Sequence, residues 1–314
     1  RTVVQLMAEI LQPQPNESIY DPTCGSGGML VKCLDYLRNK GEEWQSVQVF
    51  GQEVNGLTSS IARMNLYLNG VEDFSIVCAD TLEHPAFLDG SHLRKFDIVL
   101  ANPPYSIKEW NREKFMNDKW GRNFLGTPPQ GRADYAFFQH IIASMNETQG
   151  RCAILFPHGV LFRDEELELR KKLVEMDILD CIIGLGANLF YNSPMEACIL
   201  ICNCSKANSK KNRVLMINAV NEVTRKNAES MLLAEHIQRI VNAYQQNREL
   251  DGFSRIVSND EIREKKFNLN ISLYAYQSVL QDALTVSKED AINVWISSHS
   301  QCINEMDELI KLIK

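Results

Sequence analysis

Two short clusters in this 314-residue chain combine residue types that can do chemistry. The first is Asp21-Pro22-Thr23-Cys24-Gly25-Ser26-Gly27-Gly28-Met29-Leu30, which joins an apolar stretch to a helical pattern. Glycine lets backbone approach a ligand closely and reach positive φ, and a helix start offers N–H groups without partners. A triphosphate-binding P-loop is excluded because no Lys-Ser/Thr follows the glycines, and Leu30 stands where a dinucleotide fingerprint has its third glycine. The second cluster, Asn102-Pro103-Pro104-Tyr105, follows the apolar run Asp97–Ala101. Its two prolines stop strand pairing and stiffen the backbone. The Asn102 side-chain oxygen and the Pro103 carbonyl can then accept hydrogen bonds from one planar amino group, and Tyr105 offers a ring on which a flat heterocycle can stack. An exocyclic amine conjugated to a ring is a poor nucleophile, so acceptors that polarise its N–H bonds supply the help it needs.

Elements of a definite kind must position these groups. Short apolar runs at 18–20, 47–50, 75–78 and 96–101 alternate with helical patterns at 29–37 and 61–66. Strands of that length separated by helices imply parallel pairing with right-handed crossovers, hence a doubly wound α/β sheet of Rossmann-like type. Glu53 closes the second strand, where ribose hydroxyls lie in such folds, and Asp80 follows the third, placed to accept from an adenine amino group. With Gly25 to Gly28 at the first strand's end, they describe a pocket for an adenosine-bearing cofactor.

Residues 106–133 break the rhythm with Trp110, Trp120, Gly121, Gly126, Pro128, Pro129 and Gly131, the profile of a functional flap. Order returns with a helix near 134–145, a strand at 152–156, a helix near 164–175 and strands at 178–184 and 197–202; the last two flank a loop and can form an antiparallel hairpin. A basic turn spans 205–213, and beyond 225 the pattern is mainly helical. Ile292, Ile296, His299, Ile303, Met306, Ile310 and Ile313 mark about three heptads of an amphipathic helix. The expected division is a catalytic domain at 1–220 and a mainly helical extension at 221–314 that docks a partner.

Thirty-three Lys and Arg against 40 Asp and Glu leave a net charge of −7, which argues against a protein that coats nucleic acid unaided. Nine cysteines without a CxxC pair read as buried thiols of a reducing cytoplasm, and Cys198, Cys202 and Cys204 lack zinc-type spacing, so no metal is expected. No apolar run reaches the ~20 residues needed to span a bilayer.

Glycine turn, Glu53, Asp80 and Asn-Pro-Pro-Tyr follow one another as in S-adenosylmethionine-dependent amino methyltransferases. More closely, DPTCGSGGML, FGQEVN, FDIVLANPPYS, DYAFFQHI, GRCAILFPHGVLFR, NLFYNSPMEACILIC and FNLNISLY together resemble the modification (M) subunit of type I restriction–modification systems, over residues 1 to about 275. That resemblance implies methyl transfer from S-adenosylmethionine to adenine N6 in double-stranded DNA. Carried over by position, Asp21, Gly25, Ser26, Gly27 and Gly28 match the turn that holds the cofactor's methionine part, Glu53 its ribose ligand and Asp80 its adenine contact. Asn102, Pro103, Pro104 and Tyr105 match the catalytic target-amine site, with Asn102 also beside the cofactor. Phe190 or Tyr191, like Tyr105, matches an aromatic position that stacks on an extruded base. Arg1 ends a segment that closes over the cofactor; the family's N-terminal helical domain is absent from this sequence, which reads as a fragment or a naturally short form. A base inside a duplex must be flipped out to reach the pocket, and Lys108, Arg112, Lys114, Lys119, Arg122 and Arg132 of the flap are the expected contacts to displaced DNA. The implied partners are a specificity (S) subunit that reads the sequence, a second M subunit and a restriction (R) subunit; no membrane is involved. The same acceptor logic serves enzymes that methylate a protein glutamine or a ribosomal RNA guanine, and a non-catalytic assembly subunit could keep the fold.

Overall fold

Ile98–Ala101 is buried at every residue, and a strand so completely apolar is stable only in a sheet covered on both faces. The computed structural model, which describes residues 2–189, 196–226 and 229–276, supplies that cover. Its chain runs α1 (Thr2–Leu11), β1 (Ser18–Asp21), α2 (Gly28–Lys40), β2 (Gln48–Glu53), α3 (Gly56–Leu68), β3 (Phe74–Cys78), β4 (Ile98–Ala101), α4 (Arg112–Met116), α5 (Asp134–Ala143), β5 (Arg151–Pro157), α6 (Leu167–Glu175), β6 (Leu179–Leu185), β7 (Ala197–Asn203), β8 (Arg213–Ala219), α7 (Ala234–Gln245), β9 (Ser254–Ser258) and α8 (Asn259–Glu264). Nine strands form one sheet in the order β9-β8-β6-β7-β5-β4-β1-β2-β3. β1 pairs in parallel with both β2 and β4, and β4 with β5. Within this sheet, among the described residues, only β7 and β9 run antiparallel to their neighbours.

Each face of the sheet has its own core. Apolar residues of α1, α2, α3 and α7, among them Leu6, Leu30, Leu34, Leu66 and Ile240, cover one side. Tyr135, Phe138 and Ile141 of α5, Leu169 and Leu173 of α6, and Ile262 of α8 cover the other. Among the described residues, no helix is long and apolar enough to cross a membrane.

Two expectations need correction. The hairpin of β6 and β7 is antiparallel as read, but it is not the last: β7 inserts between β5 and β6, and β8 and β9 extend the sheet beyond them. The domain boundary expected at 220 also moves, because β9 bonds to β8 through Arg213 to Ile217, and one compact unit runs to Ala275. The stretch after 225 therefore holds a strand as well as helices. The heptad residues 292–313 lie outside the described residues.

Arg151, at the start of β5, fastens α1 to the sheet. It donates to the Leu11 and Gln12 carbonyls at 2.6 and 2.9 Å and forks onto both oxygens of Glu17 at 2.8 Å. Replacing Arg151 with Ala strands helix-end carbonyls and a carboxylate together, and should cost about 2–3 kcal/mol in urea denaturation. A loss under about 0.5 kcal/mol, the range of an ordinary surface substitution, would show that α1 docks without this clamp.

Candidate active site

β1 and β4 are adjacent and parallel, yet the chain leaving β1 forms α2 on one face and the chain leaving β4 reaches α5 on the other. Their carboxyl ends therefore open a crevice at the point where the strand order reverses, the usual ligand position in doubly wound sheets. Both chemical clusters fall there. A cavity of about 340 Å³ is lined by Pro22 and Thr23 after β1, Glu53 and Val54 at the end of β2, Asp80 and Thr81 after β3, and Asn102 and Pro104 after β4. Ile107 and Phe137 complete an apolar wall suited to a flat ring.

The glycine turn has the strained geometry its composition implies. Gly25 and Gly27 have φ of 53° and 76°, with Gly27 capping α2. Among the described residues, a side chain at Gly25 would meet nothing within 4 Å, and one at Gly28 only the Ser26 hydroxyl at 4.0 Å, so none of them plugs the turn. Ser26 and Gly28 are exposed. Glu53 joins the turn to the second strand: Oε2 accepts from Gly25 N–H at 3.1 Å, and Oε1 accepts from Asn55 N–H at 2.8 Å. Each oxygen keeps a second lone pair for a ligand hydroxyl. Asp80 Oδ1 accepts from the Leu82 and Glu83 N–H groups at 2.8 and 2.9 Å, which fixes an exposed carboxylate at the cavity edge.

Asp21 and Thr23 carry the observation that bears on a bound group. Asp21 is 1% exposed and its Oδ1 accepts from Thr23 N–H; among the described residues its Oδ2 has no partner, nor has the buried Thr23 hydroxyl. Unpaired buried polar atoms are costly, and a cationic amine arriving beside Pro22 and Thr23 would satisfy them. An adenosine-bearing cofactor with a charged amino acid end therefore fits the residues present.

On the other side of the crevice, the Tyr105 hydroxyl donates to Asn102 Oδ1 at 2.8 Å. Burial raises the Tyr105 phenol far above its ordinary value, so it stays a donor. That bond orients the exposed Asn102 amide at the cavity, where Pro104 also lies, while Pro103 is buried behind it. Phe190, Tyr191 and Arg1 lie outside the described residues. Sequence reasoning missed Thr81, Val54, Ile107 and Phe137 as lining, although Val54, Ile107 and Phe137 stood within segments already singled out.

The flap differs from expectation at one cation. Arg122, 1% exposed, donates to the Thr81 and Leu82 carbonyls at 2.9 and 2.7 Å and pairs with Asp118 at 2.7 Å. It also donates to His140, which is held neutral by burial and by that cation and reaches the Tyr20 hydroxyl at 3.1 Å. Arg122 is thus a buried staple between the flap and the loop after Asp80, and cannot grip DNA. Lys114 pairs with Glu83 at 2.7 Å and Arg132 with Glu165 at 3.5 Å, whereas Lys108 and Lys119 are exposed. A larger groove of about 1100 Å³ lies at the opposite end of the strands, beside Lys95, Met145, Ile178 and Cys204; neither cluster reaches it.

Strand order, glycine turn and Asn-Pro-Pro-Tyr turn together define a Rossmann-like methyltransferase fold. The chain belongs to the N-6 DNA methylase family, whose model matches residues 1–283. It is similar to two proteins of Methanocaldococcus jannaschii: the type I restriction enzyme MjaVII methylase subunit, 33% identical over 91% of this chain and 50% of that protein, and the MjaVIII methylase subunit, 34% identical over 87% and 48%. The chain spans about half the length of these relatives. Among solved structures, the type I restriction–modification methyltransferase subunit from Streptococcus thermophilus superposes with a TM-score of 0.80 at 35% identity, covering 88% of this chain and 58% of that one.

Burial is the largest influence on Asp21; the Thr23 N–H opposes it, the Glu53 charge adds to it, and the carboxyl is pushed from 3.8 up to about 7. Since the folded value exceeds the unfolded one, the neutral acid's stabilisation is complete below 3.8 and is lost as pH rises through about 7. Asp21 should therefore contribute a fall in the free protein's melting temperature between about pH 4 and about pH 7, and Asp21→Asn should flatten that slope. Glu166, also raised to about 7 by burial, leaves part of the slope in place. An unchanged slope in the variant would refute the titration of Asp21.

Proposed function

We propose that this chain is the catalytic part of an adenine-N6 DNA methyltransferase that uses S-adenosylmethionine, acting as the modification subunit of a type I restriction–modification complex. The observation that carries the reading is a single cavity in which Glu53 and Asp80 meet Asn102 and Pro104. Family membership and the similarity to type I methylase subunits support it.

In this reading, Asp21 and the turn Gly25 to Gly28 hold the amino acid end of the cofactor, Glu53 the ribose and Asp80 the adenine amino group. The cofactor supplies a methyl group on a positively charged sulfur that leaves as a neutral thioether, so no covalent link to the protein is required. The protein's work is placement. Asn102 Oδ1 and the Pro103 carbonyl accept the two N–H bonds of adenine N6, which favours the positive charge that grows on the attacking nitrogen. Tyr105 holds the Asn102 amide in place with its hydroxyl and offers its ring to the base. The target base leaves the duplex to reach these groups, at a cost of a few kcal/mol of unstacking. Lys108 and Lys119, exposed on the flap, remain its candidates for phosphate contact.

The acidic total supports leaving sequence recognition to a partner, the specificity subunit, in a proposed cytoplasmic assembly with a second modification subunit and a restriction subunit. The 292–313 heptads are the proposed docking segment within the helical extension.

Methyl-labelled cofactor should be offered with unmethylated genomic DNA, ribosomal RNA and a free protein mixture, each with and without the specificity subunit. Label should appear in DNA as N6-methyladenine. Asn102→Ala should lower that transfer by about 10²-fold or more, while cofactor affinity by calorimetry stays within a few-fold. Label confined to RNA or protein, or undiminished transfer by the variant, would overturn the assignment.

A further inference from the structure

The loop carrying Asn102 and Tyr105 has few backbone donors by which it can be held. Pro103 and Pro104 have no N–H, and Ser106, next after Tyr105, sits at φ 52°. A residue with a side chain keeps that left-handed conformation when its surroundings impose it. Here the surroundings are specific: Ser106 N–H donates to Asp134 Oδ1 at 2.9 Å. Asp134 opens α5, is 1% exposed, and places its other oxygen 2.8 Å from the Arg163 guanidinium.

The cation is itself fixed. Its guanidinium lies against Gly159, where an added side chain would meet Nε at 2.5 Å, and its backbone carbonyl accepts from the buried Arg170 at 2.7 Å. Glu166 lies 3.6 Å from the same guanidinium, and among the described residues neither of its oxygens has a hydrogen-bond partner, so Asp134 holds the shorter contact. A carboxylate buried at a helix start, neutralised by one arginine, has thus been spent on a single backbone N–H beside the acceptor loop.

Resting on the methyl-transfer reading above, we propose that Asp134 is a positioning residue: through Ser106 N–H it sets how far Asn102 and Tyr105 reach into the crevice, with Arg163 as its counter-ion. It touches neither cofactor nor base. Its loss should let the acceptors drift, and a displacement of about 1 Å at a reacting centre costs about 10²-fold in rate.

The test compares D134A and D134N with wild type by hydrogen exchange and by methylation kinetics on unmethylated DNA with the specificity subunit. In D134A, exchange at the Ser106 amide should quicken at least about 10-fold and kcat should fall about 10²-fold, while KM for S-adenosylmethionine stays within about 2-fold. D134N keeps an oxygen for the Ser106 N–H but weakens the pair with Arg163, and should fall between; it provides the same comparison if D134A does not accumulate folded. D177A is the control. Asp177 also combines a positive φ with a lysine pair and a backbone N–H, from Lys206 and Asn212, but lies before β6 at the far end of the strands. It should lower the melting temperature without altering kcat per folded molecule or Ser106 exchange. Unchanged Ser106 exchange in D134A, or a kcat within about 3-fold of wild type, would overturn the proposal. If wild type transfers no methyl to DNA, the methyltransferase reading falls, and the exchange result still decides whether Asp134 holds the loop.

Discussion

Hydrogen-bonded neighbours that send their chains to opposite faces of a sheet cannot close the gap between their ends. β1 and β4 are such a pair, and everything proposed for this protein depends on the gap they leave. The glycine turn rises from one lip and Asn-Pro-Pro-Tyr from the other. Neither turn could work if the strands were reordered, because their side chains would then face different solvent. The two flanking cores fix the strands from both faces.

The cofactor lip is itself tied together by polar contacts among the loops that follow β1, β2 and β3. Glu53 reaches Gly25 N–H from the second strand, and Thr81 donates its hydroxyl to the Pro22 carbonyl from the third. Arg122 then ties the flap to the carbonyls beside Thr81. The buried Arg122 guanidinium and the exposed Lys114–Glu83 pair thus join the flap to the loop at the adenine end of the cavity.

Much of this was legible in sequence, for physical reasons that differ by element. β3 to β7 are short runs rich in Val, Ile, Leu and Cys, and their apolar character announced them, whereas β1 and β2 were read from short apolar cores, Ile19-Tyr20 and Val49-Phe50, set before the glycine turn and Glu53. β8 escaped although Val214 to Ile217 is as apolar as the others, because the basic turn before it and the helical pattern after it masked a strand. β9 is half polar, as an edge strand can be, and its pairing follows from β8 rather than from its own residues. Asn102 and Glu53 were found because their types matter wherever strands end. Arg122 was misjudged because composition counts a cation but does not say which way it points. Ile107 lines the cavity only through the fold of the flap, which carries no periodicity, and Phe137 only through the way α5 packs beside it. Asp134 stood in a segment noticed for its aromatic residues, and its role is visible only once Ser106 and Arg163 are placed around it.

The claim that both turns serve one crevice can be tested directly by irradiating the intact chain with methyl-labelled S-adenosylmethionine and mapping the labelled peptides. Crosslinks should fall in peptides covering 18–40, 48–68 or 98–108, with Asp80's peptide as a further site, and excess unlabelled cofactor should remove them. Label confined to the groove at the other end of the strands, in peptides covering 88–95, 142–147 or 176–178, would contradict the account.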